Sequence, residues 1–175
     1  LEETLEELER LQRAGKFRCL GVSNFSLPLL EEALKKGSIV SIQNEYSLLC
    51  RALEEFIPLC EASNVSLIGY GSLAGGMLSG KYDGAPRERY DRRTKFYPYF
   101  EGAGLEAGLK RVERVRALAR ERNVSPAQVA IAWTLVHSRL SVALVGAKTE
   151  QQVRENAKAA EIKLSAAEVE FLQAD

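Results

Sequence analysis

The sequence predicts an α/β fold built on a parallel sheet, and two observations support this class. Short apolar runs of strand length alternate with helical segments along the 175 residues. The first three runs begin at residues 17, 39 and 65, and these separations of 22 and 26 residues are typical of βα units. A fourth run at 141–145 gives four units, which is half of the eight that close an α/β barrel.

The predicted strands are apolar runs bounded by glycine or polar residues. They cover residues 17–22, 39–43, 65–70 and 141–145. Between the third and the fourth strand, residues 71–104 are rich in glycine, proline and arginine, which predicts a long irregular connection.

The helical segments carry recognisable start and stop signals. Leucines at helical spacing from Leu1 to Leu11 predict a first helix that ends near Gly15. Ser26, followed by Pro28, predicts the start of a second helix that ends near Gly37. Apolar spacing predicts two more helices, over 52–62 and 105–119. Capping signals predict three further helix starts, at Ser125, Thr149 and Ser165.

Composition favours a single globular domain over residues 1–175. The 24 basic and 24 acidic residues balance, so nothing indicates a nucleic-acid partner. No apolar stretch is long enough to cross a bilayer, and the acidic N-terminus is unlike a signal peptide; we therefore expect a cytoplasmic protein without a membrane partner. One histidine and three widely spaced cysteines, Cys19, Cys50 and Cys60, predict reduced thiols and no metal site.

Two glycine-rich stretches imitate nucleotide-binding motifs but fail the strict pattern. Residues 69–74 match the loose form GxGxxA, yet Gly75 and Gly76 follow where the dinucleotide motif needs a helix. Residues 75–81 match GxxxxGK, yet Tyr82 stands where a P-loop needs serine or threonine. Neither stretch predicts a phosphate site of its motif class.

Polar residues follow the end of each predicted strand, where ligands bind in parallel α/β folds. These strand-end groups are Ser23-Asn24, Gln43-Asn44, Tyr70-Gly71-Ser72 and Gly146-Ala147-Lys148. Amide and hydroxyl groups can bond a carboxamide, a tyrosine can stack on a flat ring, and the last turn offers N–H groups and a lysine to a phosphate. Ser23, Asn24 and Thr149, each taken alone, are better explained as helix caps, but their joint placement at one rim favours binding.

Four segments resemble the aldo-keto reductase family in order and spacing. They are residues 15–25, 43–49, 70–81 and 146–156. The resemblance covers essentially the whole chain and implies a parallel (βα)4 half-barrel, corresponding to the C-terminal half of a TIM-type (β/α)8 barrel. It also implies an oxidoreductase that reduces an aldehyde or ketone with NADPH.

For the nicotinamide end of the cofactor, the resemblance assigns Ser23, Asn24 and Gln43 to the carboxamide. It assigns Tyr70 to stacking on the nicotinamide ring.

For the pyrophosphate, the resemblance assigns Gly71, Ser72 and Leu73 as lining residues and Lys81 as the neutralising charge. Ser72 stands where many family members have proline, and Arg92 corresponds loosely to a loop arginine that closes over the pyrophosphate.

For the adenosine end, the resemblance places Gly146 in the phosphate loop and Lys148 near the 2′-phosphate, which favours NADP over NAD. It assigns Gln152, Glu155 and Asn156 to the adenine side.

The family's proton donor is a tyrosine tuned by lysine, aspartate and histidine, and these four residues lie on strands N-terminal to the matched segments. We therefore expect no catalytic residue in this chain and no turnover by the chain alone. His137 follows a helix and Tyr46 has no lysine beside it in the pattern, so neither is expected to substitute. The alternative is a non-catalytic binding module or a truncated relic.

A four-strand half-barrel leaves its first and last strands as open edges. We expect a homodimer, or a partner chain, to cover the open half.

Overall fold

The computed structural model describes residues 1–82, 96–136 and 140–174. Its centre is one parallel sheet in which the four strands lie in the order of the sequence. The strands are β1 (Leu20–Ser23), β2 (Ile39–Glu45), β3 (Ser66–Tyr70) and β4 (Leu140–Ala143). The predicted α/β class and the half-barrel arrangement are confirmed.

Seven α-helices and four short 3-10 turns accompany the sheet in the described residues. The helices are α1 (Glu2–Arg13), α2 (Leu27–Lys36), α3 (Ile57–Ala62), α4 (Gly102–Arg122), α5 (Pro126–Thr134), α6 (Glu150–Lys158) and α7 (Ala166–Gln173). The 3-10 turns are Ala52–Phe56, Ala74–Ser79, Pro98–Phe100 and Ala159–Glu161.

The predicted helix starts are confirmed, with one difference in chemistry. The Ser125, Thr149 and Ser165 side chains each accept a hydrogen bond from the backbone N–H three residues later. Ser26 precedes α2 as predicted, but its side chain makes no capping bond. The helix predicted over 52–62 divides, because Pro58 lacks the N–H that would continue the 3-10 turn into one regular helix.

Strand boundaries differ from the prediction by one to three residues, and the three largest differences are at β1, β2 and β4. β1 begins at Leu20 rather than residue 17, because the Lys16 N–H and the Arg18 carbonyl are bonded to the end of α1. β2 runs two residues beyond Gln43, since Glu45 pairs with Tyr70 of β3. β4 ends at residue 143, although the next N–H still bonds β3.

The buried core lies on one side of the sheet. It includes Leu30, Ile42, Leu67, Met77 and Trp133, all at most 1% exposed. Strands that follow one another in sequential order place their crossover helices on the same face. The opposite face carries half-exposed or exposed residues such as Gln43, Ile68 and Val142, which leaves it open.

Within the described ranges, no helix is both long and apolar enough to span a membrane. The same residues contain no cluster of His, Cys, Asp and Glu that could hold a metal ion. His137 and Arg92, which the sequence analysis singled out, lie outside the described residues.

Candidate functional site

Four of the predicted nicotinamide residues meet at the carboxyl ends of β1, β2 and β3. The Ser23 hydroxyl donates to the backbone carbonyl of Gln43 at 2.8 Å. The Asn24 N–H donates to the same carbonyl at 3.0 Å and to the Asn44 side-chain oxygen at 2.8 Å. The Tyr70 hydroxyl donates to Oδ1 of Asn24 at 2.9 Å. The helix-cap explanation is therefore wrong for Ser23 and Asn24, because their bonds run to β2 and α2 is preceded by Ser26.

This cluster keeps free groups that fit a carboxamide. The side-chain amide of Gln43 and the Nδ2 group of Asn24 have no hydrogen-bond partner among the described residues. Asn24 adopts a left-handed conformation with φ of 57°, which asparagine tolerates. The hydrogen bonds of its backbone N–H and of its Oδ1 atom hold it in place. One amide acceptor and two amide donors thus stand at one strand end, as recognition of a carboxamide requires.

Glu45, a residue that the sequence analysis did not select, completes this rim. It pairs with Tyr70 across β2 and β3, and its Oε1 accepts a hydrogen bond from the Tyr99 hydroxyl at 2.9 Å. Tyr97 stacks on Tyr99 with ring centroids 5.9 Å apart, so the segment around 97–100 lies against the rim. The signal that could have found Glu45 is strand alternation, since it lies two residues beyond Gln43 on the same face.

Burial dominates the electrostatics of this part of the rim. It raises the pKa of Glu45 above its ordinary value, and the bond from Tyr99 opposes that rise. Burial, followed by the charge of Glu45, raises the pKa of Tyr70. Burial also raises the pKa of Tyr99, with smaller contributions from the neighbouring Cys50 and Glu45. These tyrosines are neutral at physiological pH and hold their protons more tightly than free tyrosine does.

The predicted pyrophosphate segment begins with a left-handed turn. Gly71 has φ of 72°, and a Cβ there would lie 3.2 Å from Cγ of Glu45, so this position favours glycine for both conformation and space. The Leu73 carbonyl accepts bonds from the N–H groups of Gly76 and Leu78. No α-helix follows, which confirms that the GxGxxA match is not a dinucleotide motif.

Ser72, which was predicted to line the pyrophosphate, is buried in the structure. The residue is 1% exposed and its hydroxyl has no hydrogen-bond partner among the described residues. Because the 1% applies to the whole residue, the structure presents neither the hydroxyl nor the backbone of Ser72 at the surface.

Lys81 is exposed and is fixed from both sides. The Arg116 guanidinium donates to the carbonyl of Gly80 at 2.9 Å and to that of Tyr82 at 3.0 Å. The carbonyls of the residues before and after the lysine are therefore both bonded to α4. This places a positive side chain at a defined point beyond the 3-10 turn Ala74–Ser79.

The predicted adenosine-phosphate loop leads into α6. The Lys148 N–H donates to Oε1 of Gln152 at 2.7 Å, and the Gln152 N–H donates to the Thr149 hydroxyl at 3.2 Å. The Gln152 side chain thus orders this turn, and its Oε1 atom already accepts a hydrogen bond. Lys148 is exposed, and a Cβ on Gly146 would meet no described atom within 4 Å. The N-terminus of α6 and the space above Gly146 therefore suit an anion.

Glu155 and Asn156 do not lie on one surface. Glu155 lines a groove of about 880 Å³ with Asn123, Gln128 and Arg154, between the end of α4 and α6. Asn156 lines a separate groove of about 340 Å³, beside β4. Two of the three residues predicted for the adenine side thus line different grooves.

Tyr46 has the packing role expected for it. It is 2% exposed, stacks on Trp133 with centroids 5.2 Å apart, and its hydroxyl bonds Glu54. Burial and the charge of Glu54 raise its pKa, which makes it a poor proton donor.

The sequential parallel sheet and its polar rim define an α/β protein of barrel type. A sequence model described as the Aldo/keto reductase family matches residues 1–174, and this chain belongs to that family. It is 36% identical over 172 residues to the protein named Protein tas of Escherichia coli, covering 93% of this chain and 49% of that protein. It is 31% identical over 172 residues to the NADH-specific methylglyoxal reductase of the same organism, covering 98% and 52% respectively.

Solved structures agree with the sequence comparison. The glycerol dehydrogenase AKR11B4 of Gluconobacter oxydans superposes with a TM-score of 0.87 at 29% identity, over 98% of this chain and 52% of that one. The chain thus spans about half the length of the relatives it matches. Family membership makes it oxidoreductase-like.

Proposed function

We propose that this chain supplies the cofactor-holding rim of a carbonyl reductase that uses NADP(H). When bound, that cofactor supplies a hydride to an aldehyde or ketone. The observation that carries the proposal is the bonded cluster of Ser23, Asn24, Gln43 and Tyr70 at the carboxyl ends of three adjacent strands. Beside an aromatic ring, it presents amide groups that have no partner among the described residues.

The proton required by carbonyl reduction has no evident donor in the described rim. Its tyrosines have raised pKa values, and the buried Tyr46 is closed off by Trp133. We therefore propose that the donor belongs to residues outside these 175, in the same or another polypeptide, and that this sequence alone binds cofactor without turnover. The three cysteines are free in the structure, which supports a reducing, cytoplasmic location.

Cofactor choice between NADP and NAD is assigned to Lys148. Its exposed ammonium stands one residue before the cap of α6, where a 2′-phosphate would add a charge that NAD lacks. One relative is named as specific for NADH, so the cofactor preference of this chain has to be measured.

The test is titration of the purified chain with NADPH and with NADH, followed by cofactor fluorescence. We expect one saturable site that binds NADPH more tightly. Lys148→Ala should remove most of that preference, whereas the exposed Lys110→Ala on α4 should leave it unchanged. Absence of saturable binding of either cofactor would refute the proposed function, and equal weakening of both by Lys148→Ala would refute the role of Lys148.

A second candidate function is self-association through the open sheet. The outer edges of β1 and β4 have no partner strand in the described part of the chain, and Val142 and Leu144 are each 41% exposed at the β4 edge. We propose that β1 of one copy lies beside β4 of another around a twofold axis, which gives eight strands without an open edge.

Sedimentation tests this arrangement. The chain should sediment as a dimer at micromolar concentration, and Val142→Glu should give monomer by placing a charge at the edge. The control substitution Phe171→Glu, at an exposed side chain on α7 that does not line the groove beside β4, should leave the dimer intact. A monomeric wild-type chain would refute the proposal.

A further inference from the structure

We infer that Glu45 makes the rim selective for the redox state of its cofactor, strengthening the binding of the oxidised nicotinamide relative to the reduced one. The inference rests on the proposed function. It concerns a residue for which neither the sequence motifs nor the cofactor assignments above provide a role.

Glu45 shares a strand end and a sheet face with the nicotinamide residues. It pairs in register with Tyr70, and it lies two residues after Gln43, so all three side chains emerge on the same side of the sheet. Its Cγ is 3.2 Å from where a side chain at position 71 would start. The Glu45 side chain therefore lies next to the Tyr70–Gly71 backbone, on the sheet face that carries the ring assigned to stacking.

Among the described residues, no basic side chain balances the negative charge of Glu45. Its recorded side-chain bond is from the neutral hydroxyl of Tyr99, and no Lys or Arg of the described ranges forms an ion pair with it. The other titratable groups that face it, Tyr70, Tyr97 and Cys50, are neutral when protonated. Half-burial weakens the screening of such a charge by water.

The two cofactor states differ where this charge acts. The oxidised nicotinamide ring carries a positive charge and the reduced ring is neutral, whereas both states share the same phosphates and adenosine. A carboxylate beside the ring consequently attracts one state more than the other. The effect appears in the ratio of the two affinities, from which every contact at the phosphate end cancels.

An anchoring role for Glu45 is the competing explanation, because its bond to Tyr99 also attaches the segment Pro98–Phe100 to the rim. Two variants separate the roles. Glu45→Gln removes the charge and keeps an oxygen that can accept from Tyr99. Tyr99→Phe removes the bond and keeps the charge.

The experiment measures dissociation constants for NADP+ by isothermal titration calorimetry and for NADPH by fluorescence at neutral pH, on the whole 175-residue chain. Glu45→Gln should weaken NADP+ relative to NADPH by about threefold to tenfold, the size expected for a partly screened charge pair. Tyr99→Phe, and the control Glu106→Gln at an exposed carboxylate on α4, should keep the wild-type ratio.

Salt gives a second measurement that requires no variant. In the wild-type chain, added salt should lower the affinity ratio of NADP+ to NADPH, because it screens the attraction to Glu45. A ratio independent of salt, or an equal loss of both affinities in Glu45→Gln, would overturn this inference and leave the proposed function standing. Failure of the wild-type chain to bind either form would overturn both.

Discussion

Replacing Ser72 by alanine should make the protein more stable. The residue is 1% exposed, and its hydroxyl has no hydrogen-bond partner among the described residues. Folding therefore removes this hydroxyl from water without compensation. Alanine occupies nearly the same volume and incurs no such cost.

The magnitude follows from the desolvation of one unpaired hydroxyl. Burial of such a group costs about 1–3 kcal/mol in proteins. Local relaxation recovers part of that cost in the wild-type chain, so Ser72→Ala should raise the free energy of unfolding by about 1 kcal/mol. For a domain of this size the corresponding rise in Tm is about 2–4 °C.

The assay is urea and thermal unfolding followed by circular dichroism, with Ser47→Ala as the matched control. Ser47 is also fully buried, but its hydroxyl accepts a hydrogen bond from the Leu49 N–H at 3.2 Å. The same substitution there should lower stability by about 1 kcal/mol. A loss of stability in Ser72→Ala would refute the reasoning. The affinity for NADPH should not change in Ser72→Ala. A weaker affinity at unchanged stability would instead support the predicted role of Ser72 in binding the pyrophosphate.

Three further predictions concern pH and backbone strain. Burial raises the pKa of Glu45, so the preference for oxidised cofactor should be complete above that raised value and disappear as pH falls through it. Tyr99→Phe removes the hydrogen bond that opposes the rise. Calorimetry should therefore find that this variant loses the preference at a higher pH than the wild-type chain does. The ion pair with Arg122 and a backbone hydrogen bond hold the pKa of Glu168 at about 2. The stability that Glu168 contributes to the fold should therefore be complete above the ordinary carboxyl range and be lost as pH falls towards 2. Urea titrations at several pH values should find no such dependence in Glu168→Gln. Thermal unfolding should show that Gly75→Ala lowers stability by about 2–4 kcal/mol, because φ is 64° and a Cβ would lie 2.7 Å from a tyrosine ring. Gly15 has a similar φ but open space around it, so Gly15→Ala should cost only about 1 kcal/mol.

The sequence predicted the elements well because their signals are local. Capping boxes at Ser125 and Ser165 act through bonds within one turn, and both occur where the pattern placed them. Strand boundaries were less accurate because they depend on partners far along the chain. β2 continues to Glu45 only because Tyr70 of β3 lies beside it, and no local pattern contains that pairing.

The candidate site was predicted in outline but not in orientation. Strand-end placement brought Asn24, Gln43 and Tyr70 together as expected, because parallel strands end at one edge of a sheet. Residues on irregular backbone were less predictable. Ser72 follows a left-handed glycine that turns its side chain into the core, and the Gln152 side chain bonds the turn before its own helix.

The two ends of the rim differ in how firmly their side chains are held. Tyr70 on β3 and Asn24 after β1 are joined by a bond already present in the free protein, so a ligand that contacts them costs the protein little conformational freedom. Lys148, beyond the edge strand β4, is exposed and its ammonium has no recorded partner in the described residues, so binding must order it. Under the proposed function we therefore expect the nicotinamide end to provide most of the net affinity. We expect the phosphate end, whose gain is offset by ordering and weakened by salt, to determine which of the two cofactors is retained.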